Sequence, residues 1–205
     1  MTDQMSQYIV LVVLIAFIVI CFILFAYYLH KGHKKYKEII KKQAVKRNGT
    51  TTGGILIGNP TLRFDYYSNK VKLHTISSRY STTTFLEIKL SRPTNQKMKV
   101  YKEGYASKVG KLIGMQDIEI RDVYFDDEVI LKGTDEAFIR KILTFGIREK
   151  LRELIKKHKI YFSLVDDLLI IAFNSYFKTE EDCDEVIDFA LRIVDKIRKS
   201  EIIKN

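Results

Sequence analysis

Leu62-Arg63-Phe64-Asp65-Tyr66 and Val71-Lys72-Leu73-His74-Thr75-Ile76, separated by Tyr67-Ser68-Asn69-Lys70, decide the fold of this chain. In both segments apolar and polar residues alternate with period two, so one side of each faces a core and the other faces water. The four intervening residues include turn formers, and the pair reads as an antiparallel β-hairpin. The same period governs the chain from Ile55 to about Lys132. Thr82 to Leu90 is rich in β-branched and aromatic residues and puts Leu86, Ile88 and Leu90 on one face. Arg92-Pro93-Thr94-Asn95-Gln96 is the next turn, Met98 to Tyr101 the next strand, and Ile118-Glu119-Ile120 and Val129-Ile130-Leu131 continue the series. Charged residues at the alternate positions imply antiparallel sheet with one wet face.

Beyond Lys132 the period changes to that of a helix. Thr134 is placed as an N-cap, followed by the stripe Phe138, Ile139, Ile142 and Leu143. Phe145-Gly146 breaks this helix from a second one, whose stripe is Ile147, Leu151, Leu154 and Ile155 and whose end is Lys156-Lys157-His158-Lys159, cations suited to a helix C-terminus. Ile160 to Val165 and Leu168 to Phe173 form a hairpin around Asp166-Asp167. Its second strand is apolar throughout, which predicts a central position. Glu180 to Lys199 is the last helix, acidic at its start and basic at its end, with Val186, Ile187, Ala190, Ile193, Val194 and Ile197 as the buried stripe. About six strands, two helices, two strands and a helix make an α+β domain: a mainly antiparallel sheet with about three helices segregated from it.

One local pattern has a precedent. Gln116-Asp-Ile-Glu-Ile-Arg-Asp-Val-Tyr-Phe-Asp126, then Ile130-Leu-Lys-Gly-Thr-Asp135, then Ile142-Leu-Thr144 with Ile147, Arg148 and Leu151, resembles a group of uncharacterised prokaryotic domains. In these an Asp-Ile strand, a Phe-Asp pair, a strand ending near Gly-x-Asp and an Ile/Leu-Leu helix recur, often in membrane-associated chains. The resemblance implies structural roles: Phe125 as a core plug, Gly133 as a turn and Asp135 at a helix start. It implies no activity.

Upstream of the hairpin, Asn48-Gly-Thr-Thr-Thr-Gly-Gly54 reads as a linker, so that residues 55–205 make one domain. Residues 30–47 carry Lys31, Lys34, Lys35, Lys37, Lys41, Lys42, Lys46 and Arg47 against Glu38 alone, with Tyr36, Ile39, Ile40 and Ala44 on one helical side. Residues 8–29 hold neither charge nor proline, and sixteen of the twenty-two are Leu, Ile, Val or Phe. At about 1.5 Å per residue such a run would reach about 33 Å, against a hydrocarbon core of about 30 Å. The run predicts a single transmembrane helix without a cleavage site, preceded by a short extracytoplasmic N-terminus, residues 1–7. The basic residues behind it predict a cytoplasmic C-terminal domain. The formal charge of +10 sits mostly in residues 30–47. Residues 48–205 hold 27 basic and 23 acidic groups, so the basic pI argues for topology rather than for nucleic acid as a partner.

Signs of chemistry are few. Neighbouring aspartates, Asp126-Asp127 and Asp166-Asp167, suit turns better than a cation site. His30 and His33 stand i, i+3 without further ligands, and His74 and His158 are isolated. The glycines of Gly53 to Gly58 and Gly110 to Gly114 do not form a P-loop. Cys183 lies among Glu180, Glu181, Asp182, Asp184 and Glu185, which disfavour a thiolate. No catalytic residue, cofactor or metal is therefore expected. The sequence predicts a single-pass membrane protein whose domain binds a protein partner or a second copy of itself, as a subunit or adaptor of a membrane complex. An alternative is an anionic-lipid sensor, with membrane lipid contacted through Lys31, Lys34, Lys35, Lys37, Lys41 and Lys42. A membrane-bound enzyme would instead require Asp126, Asp127, Asp166, Asp167 or His74 to converge in one pocket. Tyr66, Tyr67, Tyr80, Tyr101, Tyr105, Tyr124, Tyr161 and Tyr176 would mark an interface if clustered and exposed.

Overall fold

The computed structural model describes residues 2–53, 58–78, 80–102 and 115–202, with side chains described from residue 34 to residue 200 and, before that, at Tyr8 and residues 13–24. Among the described residues nine strands form one sheet: β1 (Thr50–Thr52), β2 (Thr61–Tyr66), β3 (Asn69–Ser77), β4 (Thr82–Lys89), β5 (Lys97–Tyr101), β6 (Gln116–Asp117), β7 (Ile130–Gly133), β8 (Tyr161–Val165) and β9 (Leu168–Phe173). Their spatial order is β1-β2-β3-β4-β9-β8-β5-β7-β6, and every pairing is antiparallel. The helices are α1 (Thr2–Lys46), α2 (Val123–Asp126), α3 (Glu136–Ile142), α4 (Phe145–His158) and α5 (Glu180–Ile202). The α+β reading holds.

The register explains why the sheet has a dry side. One row of partners runs Leu62, Leu73, Leu86, Ile171, Phe162, Val100, Leu131 across seven strands. The adjacent row runs Phe64, Val71, Ile88, Leu169, Leu164, Met98, Gly133. Every side chain in the two rows is 7% exposed or less. The intervening positions, among them Arg63, Lys72, Glu87 and Lys99, fall on the other face, as a period of two requires. The hairpin β8–β9 enters between β4 and β5, so the last strands in the chain join the earlier halves of the sheet, and β9 is the fifth of nine. Its apolar composition on both faces fits that central position.

Asp135 caps α3, its Oδ1 accepting from the Phe138 N–H at 2.9 Å. This corrects the expectation of Thr134, whose hydroxyl is already used: it accepts from the Lys97 N–H and donates to Gln96. The strand expected at Ile118 to Ile120 is displaced to Gln116–Asp117, because the Asp126 carboxylate takes the N–H groups of Ile120 and Asp122. Phe125 is fully buried beneath this turn. Within residues 48–54, expected as linker, Thr50–Thr52 pair with β2 as the edge strand β1. The glycines of Gly110 to Gly114, and Tyr105, lie outside the described residues.

The largest correction concerns the N-terminus. Among the described residues no helix is long and apolar enough to cross a membrane. That overturns the transmembrane helix expected over residues 8–29, and with it the placement of the N-terminus outside and the domain on the cytoplasmic side of a membrane. The helix that holds these residues continues unbroken to Lys46, and its stripe Tyr36, Ile39, Ile40 and Ala44 is buried in the same core as the sheet.

Tyr36 is fixed by a directional hydroxyl chain. Thr84 donates to the Ser175 carbonyl at 2.6 Å, so Thr75 donates to Thr84 at 2.9 Å and Tyr36 in turn donates to Thr75 at 2.7 Å. Burial pushes the Tyr36 phenol well above its ordinary pKa.

Gly133 closes the second apolar row because α3 lies against it. A Cβ there would collide with Ile139 Cδ1 and stand 3.0 Å from the Lys97 carbonyl oxygen. Gly133→Ala is therefore expected to cost about 1–3 kcal/mol, read as a lowered urea midpoint with an unchanged denaturant slope.

Candidate functional site

The six lysines singled out from sequence divide into three groups. Lys42 is engaged, its ammonium 3.0 Å from Glu180 at the start of α5. Lys34, Lys35, Lys37 and Lys41 project from α1 away from its buried stripe and have no carboxylate partner within ion-pair distance among the described residues. The side chain of Lys31, like those of His30 and His33, lies outside the described residues. The result is a positive ridge on the last third of the helix, on the side away from the buried stripe, with no ion-paired carboxylate among the described residues.

Where α1 ends, its charges are fully used. Arg47 donates to Asp184 at 3.0 Å, to Asp188 at 2.9 Å and to Gln43 at 2.9 Å, with its guanidinium over the Phe64 ring. Buried Gln43 also donates to Asp184, and Lys46 lies 2.8 Å from the same carboxylate. This seam locks the basic end of α1 to the acidic start of α5, where carboxylates also suit the helix dipole. Burial raises the pKa of Asp184, and the combined pull of Lys46, Gln43 and Arg47 outweighs it and holds the group below its usual range.

A second cluster lies where α4 ends. His158 Nε2 stands 3.8 Å from Asp182 Oδ1 and 3.9 Å from Glu185 Oε2, both on the first turns of α5. Lys157 bridges the two carboxylates at 2.7 and 2.8 Å, and Lys150 holds the other oxygen of Glu185 at 2.6 Å. Burial pulls the imidazole below the usual histidine range, more than Asp182 raises it, and so favours the neutral form. Sequence reading left His158 isolated, because twenty-four residues separate it from Asp182. The i, i+3 spacing of Asp182 and Glu185 was the one local signal. Cys183 between them is buried, and burial pushes its thiol up.

The aspartate pairs occupy separate places. Asp126 satisfies backbone N–H groups beside α2, Asp166 and Asp167 form the β8–β9 turn with Asp167 2.9 Å from Lys89, and His74 stacks on Phe85 within the sheet. Burial lowers the His74 pKa. The tyrosines are likewise dispersed: Tyr101 is buried, Tyr66 donates to Asp195, and the exposed Tyr67, Tyr80 and Tyr124 lie on the β2–β3 turn, the β3–β4 turn and α2. Two exposed features were not foreseen. Val123, Tyr124 and Phe145 stand out where α2 meets α4. A groove of about 510 Å³ between the β2–β3 turn and α5 is lined by Leu90, Val194 and Ile197 together with Arg92 and Arg198.

Comparison with protein-family models and with curated proteins finds no match for the chain. Among solved structures it is similar to the crystal structure of the mycobacterial trehalose monomycolate transport factor A, TtfA, with a TM-score of 0.55 and 8% identity. The alignment covers 81% of this chain and 94% of that one. At that identity the likeness is one of fold.

The seam carries a pH dependence. Because the folded pKa of Asp184 lies below its ordinary value, its contribution is complete above about pH 4 and is lost as the pH falls through the lower folded value. Asp184→Asn is expected to cost about 1–3 kcal/mol at pH 7, and its urea midpoint should converge on that of the parent chain as the pH is taken well below 4.

Proposed function

We propose that this chain is a non-enzymatic adaptor of a transport assembly, binding a partner protein through the apolar part of α1. The observation that carries the reading is the surface of that helix: Val13, Leu14, Ile15, Phe17, Ile18, Val19, Ile20, Phe22, Ile23 and Leu24 are each at least 50% exposed. Contiguous apolar surface of this extent marks an interaction site. Two further features support a binding role. The exposed group Val123, Tyr124 and Phe145 offers a separate apolar contact on the domain. The fold is shared with a mycobacterial trehalose monomycolate transport factor. The continuity of α1 with the core makes the apolar segment a fixed projection of the domain.

A photoreactive residue in place of Phe17 or Phe22, activated in intact cells, is expected to give a discrete adduct with one protein partner, absent when the residue replaces exposed Tyr80 instead. Adducts with lipid alone, or none above the Tyr80 control, would overturn the adaptor reading.

The unpaired ridge of Lys34, Lys35, Lys37 and Lys41 favours a second reading, contact with an anionic lipid surface. Replacing all four by glutamine is expected to weaken binding to vesicles containing phosphatidylserine by at least about tenfold, since each basic residue near such a surface contributes about 1 kcal/mol. Equal sedimentation of the two proteins with those vesicles would remove it.

A further inference from the structure

Of the three groups that meet between α4 and α5, the bonding within the domain explains only two. The carboxylates of Asp182 and Glu185 are satisfied by Lys157 and Lys150. His158 Nε2 is shut off from solvent and has no hydrogen-bond partner among the described residues. A buried ring nitrogen without a partner is costly to leave unsatisfied. It stands 3.8 and 3.9 Å from the carboxylate oxygens, beyond hydrogen-bond reach.

Those separations have a natural filler. A divalent ion bound to nitrogen and oxygen at about 2.0–2.2 Å in a tetrahedral shell spaces its donors by roughly 3.3–3.6 Å. The imidazole nitrogen and the two carboxylate oxygens all lie within 4.8 Å of one another, so side-chain shifts of up to about an ångström would bring them around one ion. Asp182 and Glu185 stand i, i+3 on α5 and present their oxygens on one side, while His158 approaches from the end of α4. The side chains are 11%, 13% and 21% exposed for His158, Asp182 and Glu185, giving a sheltered site with an outlet to solvent.

We propose that His158 Nε2, Asp182 Oδ1 and Glu185 Oε2 bind a first-row divalent transition metal ion of the zinc type. Lys157 is the occupant in the metal-free protein. Its ammonium spans the same two oxygens, and its half-exposed side chain is free to swing outward when an ion takes its place. Lys150 remains on Glu185 Oε1 and orients the carboxylate, as outer-shell partners of metal ligands do. Three protein ligands leave one position of a tetrahedral ion open. The ion would tie the end of α4 to the beginning of α5, beside the acidic turn that holds the basic end of α1, and so would stiffen the base from which the exposed segment of α1 projects.

The test is calorimetric titration of Zn²⁺ into the metal-free full-length chain, with Co²⁺ absorption as a report on geometry. One saturable site is expected, with the visible bands of tetrahedral Co²⁺. His158→Gln should weaken binding by at least about tenfold and abolish those bands. Lys157→Met should tighten it by removing the competing ammonium. Glu185→Gln, which keeps the side chain's shape, should weaken binding should His158→Gln fail to fold. The proposal is overturned by an absence of saturable binding in both the parent chain and Lys157→Met. It is equally overturned by binding that survives His158→Gln, whether lost on replacing His30 and His33, which would place the ion on α1, or retained, which would mark an adventitious ion only.

Discussion

The structure depends on the β8–β9 hairpin completing two apolar rows across the sheet. Without Phe162, Leu164, Leu169 and Ile171, the strands β2 to β4 and the strands β5 and β7 would present two separate apolar surfaces, each with an unpaired edge. Burying such a side chain contributes about 1.5–3 kcal/mol, and the hairpin supplies several of them at once while pairing backbone on both sides. Helices then close the dry face: α1 from Tyr36 onward and α5 from Cys183 to Ile197, with α3 against Gly133.

That closure makes α1 two things. From Tyr36 onward it is core, held by apolar packing, by the hydroxyl chain through Thr75 and Thr84, and by the salt-bridged seam with α5. Its earlier turns carry exposed apolar side chains, and the packed segment shows on its outer side lysines that lack carboxylate partners among the described residues. The seam is buried at Gln43, part-buried at Arg47 and Asp184 and exposed at Lys46 and Asp188, where the pairs are individually modest. Its value is geometric, since Arg47 and Gln43 converge on one carboxylate and fix the angle at which the helix departs. A binding role for the exposed part draws on this rigidity, because a fixed projection loses less conformational freedom on meeting a partner than a free one does.

Much of the sheet was legible because its wet face is polar. Arg63, Lys72 and Glu87 alternate with Leu62, Phe64, Val71, Leu73, Leu86 and Ile88, so the period was unambiguous, and the apolar run of β9 gave away its central place. The helical stripe Tyr36, Ile39, Ile40 and Ala44 was equally plain, but what it faces is set by contacts with strands and with a helix far along the chain. The apolar run ahead of it was read by its length in sequence as a transmembrane helix, and no described helix meets that requirement. Local errors arose where side chains compete for the backbone: Asp126 took the N–H groups that a strand at Ile118 to Ile120 would have used, and Thr134 was drawn to β5, leaving the cap to Asp135. The meeting of His158 with Asp182 and Glu185 was hidden because it is made by packing of α4 on α5 and not by spacing.

The integration of α1 into the domain is tested most directly by native-state hydrogen exchange of the full-length chain. If the second half of α1 is core, the amides of residues 39–44 open only with the same free energy as those of β9, in one cooperative unit. Exchange of residues 39–44 at the rate of an isolated helix while β9 stays protected would contradict the account and separate α1 from the domain.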